Sequence, residues 1–158
     1  MDSYLLFKWL HILSSTVLFG TGLGTAFQMV WAMRTGRVET IHSVASAVVI
    51  ADWLFTAPAG LVQPLSGLML ARLQGRPLSD DWLLLTYAAY VLAFLCWAPV
   101  VYLQIRIRDL AAESLQAARS LPMAAWRAYR LWFALGWPGF LSLVGIFWLM
   151  VAKPDFGW

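Results

Sequence analysis

Four long apolar segments, separated by short polar stretches, set the pattern of this chain. They cover about residues 5–33, 44–71, 82–105 and 131–152. A helix needs roughly 20 apolar residues to cross the hydrocarbon core of a bilayer, so each segment is long enough to span it. The runs show no alternation of period two, which excludes the strands of a membrane barrel. The pattern predicts an all-α polytopic membrane protein: four transmembrane helices in an up-down bundle that forms a single domain over residues 1–158.

Composition favours a membrane protein over a soluble one. Of the 158 residues, 61% are hydrophobic and 12% are charged, and that charged fraction is about half the usual value for a soluble domain. Many of the 10 Trp, 9 Phe and 5 Tyr lie near the ends of the apolar runs, as in the aromatic belts at membrane interfaces. The net charge of +3 is too small and too dispersed for nucleic-acid binding. We therefore expect the lipid bilayer, and no nucleic acid, as the partner of these segments.

Basic residues mark one end of the predicted bundle. Seven of the eleven follow the first and third segments, namely Arg34, Arg37, Arg106, Arg108, Arg119, Arg127 and Arg130. Lysine and arginine accumulate in cytoplasmic loops, and at the opposite end the four remaining basic residues are diluted by aspartates. The distribution predicts a protein of the bacterial inner membrane with both termini periplasmic.

His11, near the start of the first segment, is the first candidate for chemistry. Imidazole is the commonest protein ligand for haem iron and for many transition metals, although a histidine inside a bundle also serves as an interhelical hydrogen-bond donor. The other histidine, His42, is expected in a solvated loop at the opposite end, so the two cannot hold one haem. Met69 and Met150 are expected at the depth of His11, and histidine with methionine also suits copper(I).

A polar stripe follows one face of the second segment. Its members recur at spacings of three and four and are Asp52, Thr56, Ala59, Gly60, Gln63 and Gly67. A carboxylate at the centre of a span costs roughly 2.5–3.5 kcal/mol, so Asp52 will not face lipid unpaired. We expect Asp52 either to form an ion pair with an arginine at its depth or to act as a proton relay or substrate anchor. The arginines at that depth are Arg34, Arg106 and Arg130. The stripe predicts a polar interior that contains Asp52, Thr56 and Gln63.

Aromatic side chains share one face of the third segment. They include Tyr87, Tyr90, Phe94 and Trp97. Such a face either flanks a flat cofactor or packs against other helices. The candidate cofactor site comprises His11, Gln63, Tyr90 and Trp97, with His11 as the metal ligand. In the first segment, Gly20 and Gly24 form a GxxxG motif of close helix contact, which predicts close packing either within the bundle or between copies in a homo-oligomer.

Four stretches that together cover almost the whole chain are FKWLHILSSTVLFGTGLGTAF, VVIADWLFTAPAGLVQPLSGL, WAPVVYLQIRIRDL and LWFALGWPGFLSLVGIFWLMVAKPD. In these stretches the chain resembles a family of bacterial four-span integral membrane proteins of unknown function. The first segment also contains Phe7, Lys8, His11, Phe19 and Gly20. In these residues it is distantly similar to the CopD-like group, which includes copper-resistance membrane domains and the HemJ-type protoporphyrinogen IX oxidases.

The similarity to HemJ-type proteins implies haem b as a cofactor at His11, because the corresponding histidine is implicated in haem binding there. Those proteins carry an arginine farther along the first helix, whereas this sequence has Phe27 and Gln28 in that region and its first arginine at Arg34. The similarity therefore does not extend to the residues that would imply porphyrinogen oxidation.

Two functions stay open on the sequence. The first is a haem- or redox-metal-binding membrane protein that uses His11. The second is a non-catalytic assembly partner, or a small-solute or proton-coupled transporter that uses Asp52 and Gln63. The sequence contains no Gly-rich phosphate loop, CxxC, HExxH or Ser/His/Asp signature, so it does not decide whether the protein is an enzyme.

Overall fold

The computed structural model describes residues 2–156, and it contains no strand within that range. The elements in chain order are α1 (Ser3–Thr35), α2 (Val38–Ala51), a π-helical segment (Asp52–Thr56), α3 (Ala57–Leu73), α4 (Asp81–Gln116) and α5 (Met123–Ala152). We call Asp52–Thr56 the π-segment. It joins α2 to α3 in one continuous helix, so the described residues contain four helices that are long and apolar enough to cross a membrane. The prediction of four spans in an all-α fold is confirmed.

The helices extend beyond the apolar runs that predicted them. α1 has 33 residues, which corresponds to about 50 Å of helix and exceeds the bilayer core of about 30 Å. α4 runs past residue 105 to Gln116, and α5 begins at Met123 rather than near residue 131. Apolar length reports how much of a helix faces lipid, whereas caps decide where it ends. Asp2 accepts a hydrogen bond from the Tyr4 N–H at the start of α1, and Gly36 ends α1 at a φ of +66°.

The bundle consists of two helical hairpins that pack most closely at the arginine end. α1 packs along α2, the π-segment and α3, and α4 packs along α5. Between the hairpins the main packing is that of α2 on α4. A buried apolar cluster fills this end, and its largest fully buried members are Met29, Met33, Ile41, Ile107 and Val48. At the end that carries the termini, α3 and α4 pack less closely, which leaves space between the hairpins.

The π-segment has an identifiable cause in the sequence. Pro58 has no N–H and therefore cannot donate to the carbonyl four residues before it. Just ahead of it, the backbone widens to π-helical spacing, and the Ala57 N–H bonds the Asp52 carbonyl five residues back. Such π-bulges place one extra residue in a turn and are frequent at functional sites. Asp52 and Thr56, at the two ends of the π-segment, are both buried.

His42 and the two glycines of the GxxxG motif have surroundings that only the structure reveals. His42 lies within α2 and is half-buried, with its Nδ1 3.3 Å from the Arg108 carbonyl oxygen, so the prediction of a solvated loop was wrong. The reason is that α2 already begins at Val38, before the apolar run does. Gly20 and Gly24 lie on the outer surface of α1, with no atom within 4 Å of a Cβ built on either. They do not pack inside the bundle, and the homo-oligomer stays a prediction.

Candidate functional site

The structure places His11 of α1 against the backbone of α3. A Cβ built on Gly67 would lie 3.0 Å from His11 Cε1, so the imidazole occupies space that only a glycine leaves open. His11 is half-buried, and the edge of its ring that carries Cε1 and both nitrogens is turned toward α3. Gly67, a small residue of the predicted stripe, therefore permits the His11 ring, rather than a whole helix, to approach α3 closely.

The hydrogen bonds of the His11 ring show which of its two nitrogens carries the proton. Nδ1 lies 3.1 Å from the Gln63 carbonyl oxygen and 3.0 Å from Ser66 Oγ. A carbonyl oxygen can only accept, and the Ser66 hydroxyl donates to the Val62 carbonyl at 2.7 Å, so Nδ1 carries the proton. The other nitrogen, Nε2, is left with its lone pair.

The Gln63 side chain covers that lone pair. Its amide Nε2 lies 3.2 Å from His11 Nε2 and donates to it. Its Oε1 accepts a hydrogen bond of 2.5 Å from Ser14 Oγ, which fixes the orientation of the amide. His11, Ser14, Gln63 and Ser66 form one interhelical network between α1 and α3, and we call it the His11 network.

A cavity of about 180 Å³ lies beside this network, between the two hairpins. Eleven residues from all four spans line it, and among them the polar ones are His11, Ser15, Gln63 and Tyr90. Tyr90 of α4 donates its hydroxyl hydrogen to the Gly60 carbonyl of α3. Phe19 of α1 packs on Phe140 and Phe147 of α5 at centroid distances of 5.5 and 5.3 Å. A mainly apolar lining with a few convergent polar groups is typical of a small-molecule site.

Asp52 occupies a second polar position, deeper in the bundle. It is 4% exposed, and its Oδ1 accepts a hydrogen bond of 2.9 Å from Thr56 Oγ1 across the π-segment. The Gln104 side chain of α4, 3% exposed, approaches the same carboxyl. The expected ion pair with Arg34, Arg106 or Arg130 was wrong, because these three arginines are exposed and none pairs with Asp52. Long arginine side chains keep their charged ends in water where they can.

Comparison with known proteins identifies the family of this chain. A family model described as "Predicted integral membrane protein (DUF2269)" matches residues 5–154. The chain belongs to this family. No curated protein and no solved structure gives a match, and the similarity to the CopD-like group is not shown by these comparisons.

For this DUF2269 member, the candidate residues divide between two places. His11, Gln63 and Tyr90 meet at one cavity, with Met150 also in its lining. Trp97 and Met69 are not among the residues that line it. Asp52 and Thr56 lie in the π-segment. The polar stripe of the second span lies on a face that is buried or half-buried, and its two ends have different surroundings.

Two serines of the His11 network were not predicted as site residues from the sequence. Ser14 follows His11 by three residues, and Ser66 follows Gln63 by three. Residues three apart share a helix face, so this spacing was the available signal. Within residues 2–156, no three His, Cys, Asp or Glu side chains gather in a group that could hold a metal ion. A metal at His11 would therefore need ligands of another kind, such as the thioether of Met150.

Proposed function

We propose that this protein binds a redox-metal group through His11, either haem b or a single copper(I) ion. The observation that carries the proposal is the hydrogen bond from His11 Nδ1 to the Gln63 carbonyl. Metal-ligating histidines almost always donate their other ring N–H to a carbonyl, a carboxylate or water, which fixes the tautomer. His11 has this tautomer beside a cavity. To bind a metal, its Nε2 exchanges the Gln63 amide for the metal.

The size of the cavity suits a single copper(I) ion better than haem b. Its volume of about 180 Å³ is below the roughly 300–1,000 Å³ usual for pockets that enclose a drug-sized ligand. Haem b therefore requires the hairpins to move apart around Tyr90 and Phe19. A single ion needs no such movement, and imidazole with the Met150 thioether suits copper(I).

The test is an absorption spectrum and a metal analysis of the protein purified in detergent from cells supplied with haem precursor and copper. The proposal expects either a Soret band or bound copper in the unaltered protein, and its loss in His11→Ala. Met150→Leu distinguishes the forms, since it lowers copper affinity but leaves a haem held by His11. His42→Ala is the matched control, because it removes the other histidine, which lies at the arginine end.

A colourless and metal-free preparation that is well folded would overturn the proposal. The His11 network would then be an interhelical contact of a non-catalytic membrane protein. Retention of the metal in His11→Ala would overturn it as well, because the ligand would have to lie elsewhere.

Transport is the second candidate, and the burial of Asp52 without an arginine partner favours it. Asp52 and Gln63 are eleven residues apart in the second span, about 16 Å of helix rise, so a small solute or a proton would meet them in succession. Uptake into vesicles that contain the purified protein tests this function. An Asp52→Asn variant that transports as fast as the unaltered protein would contradict it.

We propose in addition that the protein lies in a bacterial inner membrane with both termini periplasmic. The support is the concentration of seven arginines at the end where α1 meets α2 and α4 meets α5, in accord with the positive-inside rule.

A further inference from the structure

The cavity beside the His11 network reaches the surface of the bundle inside the membrane. Two of the residues that line it are exposed apolar side chains, Ile12 of α1 at 56% and Phe147 of α5 at 41%. Phe147 lies five residues before the end of α5 at Ala152, which is about 7.5 Å of helix rise. This rim therefore lies within the hydrocarbon layer, where an exposed apolar side chain contacts acyl chains. The opening between Ile12 and Phe147 faces lipid.

The volume of the cavity fits one six-membered ring. It is about 180 Å³, slightly more than an engineered apolar cavity of about 150 Å³ in another protein that binds benzene. A longer molecule must leave the rest of its length outside, and outside the rim there is lipid. Size and opening together indicate a ring that carries an apolar tail, with the tail among the acyl chains.

The cavity lining offers one hydrogen-bond donor without an acceptor. The Gln63 amide carries two hydrogens, and one of them goes to His11 Nε2 at 3.2 Å. Within residues 2–156, no group accepts the second hydrogen. The acceptor atoms beside it, Gln63 Oε1 and His11 Nε2, are already occupied by Ser14 and by the amide itself. The lining therefore suits a ring with an oxygen that accepts a hydrogen bond and brings no hydrogen of its own.

A carbonyl oxygen has this property, whereas the hydroxyl of a phenol would need a further acceptor. We propose that the His11 cavity binds the ring of a membrane-dissolved quinone, which enters from the lipid between Ile12 and Phe147 and keeps its apolar tail in the bilayer. One quinone carbonyl accepts the second hydrogen of the Gln63 amide, and the Phe19 side chain in the lining contacts the flat ring. The proposal concerns binding alone and goes beyond the proposed function, because it needs no metal at His11.

Binding of decylubiquinone, a quinone with a decyl tail, to the metal-free full chain in lipid nanodiscs tests the proposal. We expect saturable binding at one site per chain, above the partition into empty nanodiscs. Decylbenzene has a ring and the same tail but no carbonyl, and we expect it to compete about five- to tenfold more weakly, the effect of one hydrogen bond. A sulfonated benzoquinone without a tail stays in the water, so we expect no competition from it.

A pair of matched variants locates the ring. Leu143→Phe enlarges a side chain that lines the cavity, and we expect it to weaken decylubiquinone binding by more than about tenfold, because overpacking costs about 1–3 kcal/mol. Leu141→Phe makes the same change two residues earlier. Leu141 is 58% exposed and does not line the cavity, so binding stays unchanged. The comparison of probes needs no variant, so it decides the proposal even if Leu143→Phe does not fold.

Three results would overturn the proposal. Unchanged binding in a folded Leu143→Phe variant would place the ring elsewhere, equal competition by decylbenzene would show that no carbonyl is recognised, and equal competition by the sulfonated quinone would show that the cavity opens to water. A colourless, metal-free protein that binds decylubiquinone contradicts the proposed function but not this proposal. A metal-bound protein that binds no decylubiquinone contradicts this proposal but not the proposed function.

Discussion

His11 illustrates how a single side chain depends on small neighbours. Its ring lies against Gly67, and its two nitrogens contact α3 through Gln63 and Ser66. The residue type could be identified as a candidate from the sequence, since an intramembrane histidine is rare and costly to leave unpaired. Gln63 was placed in one site with it, but the hydrogen bonds to the Gln63 backbone and to Ser66 were not predicted, because these groups lie more than fifty residues away along the chain.

Substitution of Gly67 by alanine tests this close approach. The new Cβ would lie 3.0 Å from His11 Cε1 and 3.5 Å from Nδ1, so the ring must move away from the groups that it bonds. Overpacking of this kind typically costs about 1–3 kcal/mol, so we expect a lower Tm in detergent and, on the proposed function, weaker binding of the metal group at His11.

Gly22→Ala is the control for this prediction. Gly22 lies in α1 with nothing within 4 Å of a Cβ built on it, so alanine there gains about 0.5–1 kcal/mol of helix stability without a clash. Equal unfolding temperatures for the two variants would show that the His11 ring moves away from the new Cβ without a measurable loss of stability.

Among the elements, the second span departs most from a regular helix. The spacing of the polar residues from Asp52 to Gly67 predicts one face of a straight α-helix. The π-segment interrupts that geometry at the start of the stripe. The stripe still faces inward, yet Asp52 meets Thr56 and Gln104 whereas Gln63 meets His11.

Deletion of Leu54 tests the contribution of the π-segment. Removal of one residue would return this turn to α-helical spacing and leave α2 and α3 in their present relative rotation, because a π-bulge is one residue inserted into an α-helix. The Pro58 ring would then clash with the carbonyl four residues before it, and the spacing of Asp52 and Thr56, whose side chains are hydrogen-bonded, would fall from four residues to three. We expect the deletion to cost more than about 3 kcal/mol of unfolding free energy, a size typical of a broken buried network, as measured by thermal unfolding in detergent.

Leu54→Ala provides the matched comparison. Leu54 is 61% exposed, so the shorter side chain loses little packing while the chain length stays the same. If the deletion and the substitution have the same Tm, the stability of the second span does not depend on the wider turn.

For the whole molecule, the charge distribution predicts the orientation in the membrane. Single cysteines introduced by Ser3→Cys and Gln74→Cys lie on exposed residues at the end that carries the termini, and Arg119→Cys lies at the opposite end. The native Cys96 is buried, and a Cys96→Ala background removes it. In spheroplasts we expect a membrane-impermeant maleimide to label the first two variants, and Arg119→Cys only after lysis, because arginine-rich loops stay in the cytoplasm.

Labelling of Arg119→Cys alone in sealed spheroplasts would mean that the orientation is opposite to the proposed one, without contradicting the fold. Labelling of all three variants in sealed spheroplasts would mean that both orientations coexist. Either result would show that the seven arginines at one end do not decide the insertion of this bundle.

The sequence by itself determined that four helices cross a membrane, that arginines gather at one end, and which polar residues turn inward. These properties follow from apolar length, charge and helical spacing, all of which are local along the chain. Only the tertiary structure decided which polar groups meet. His42 lies inside a helix, Asp52 meets Thr56 and Gln104 rather than an arginine, and Tyr90 faces the His11 cavity whereas Trp97 does not. The physical reason is that partners on different spans depend on helix rotation and register, and one extra residue in a π-turn shifts by about 100° the faces that the sequence spacing predicts for a regular helix.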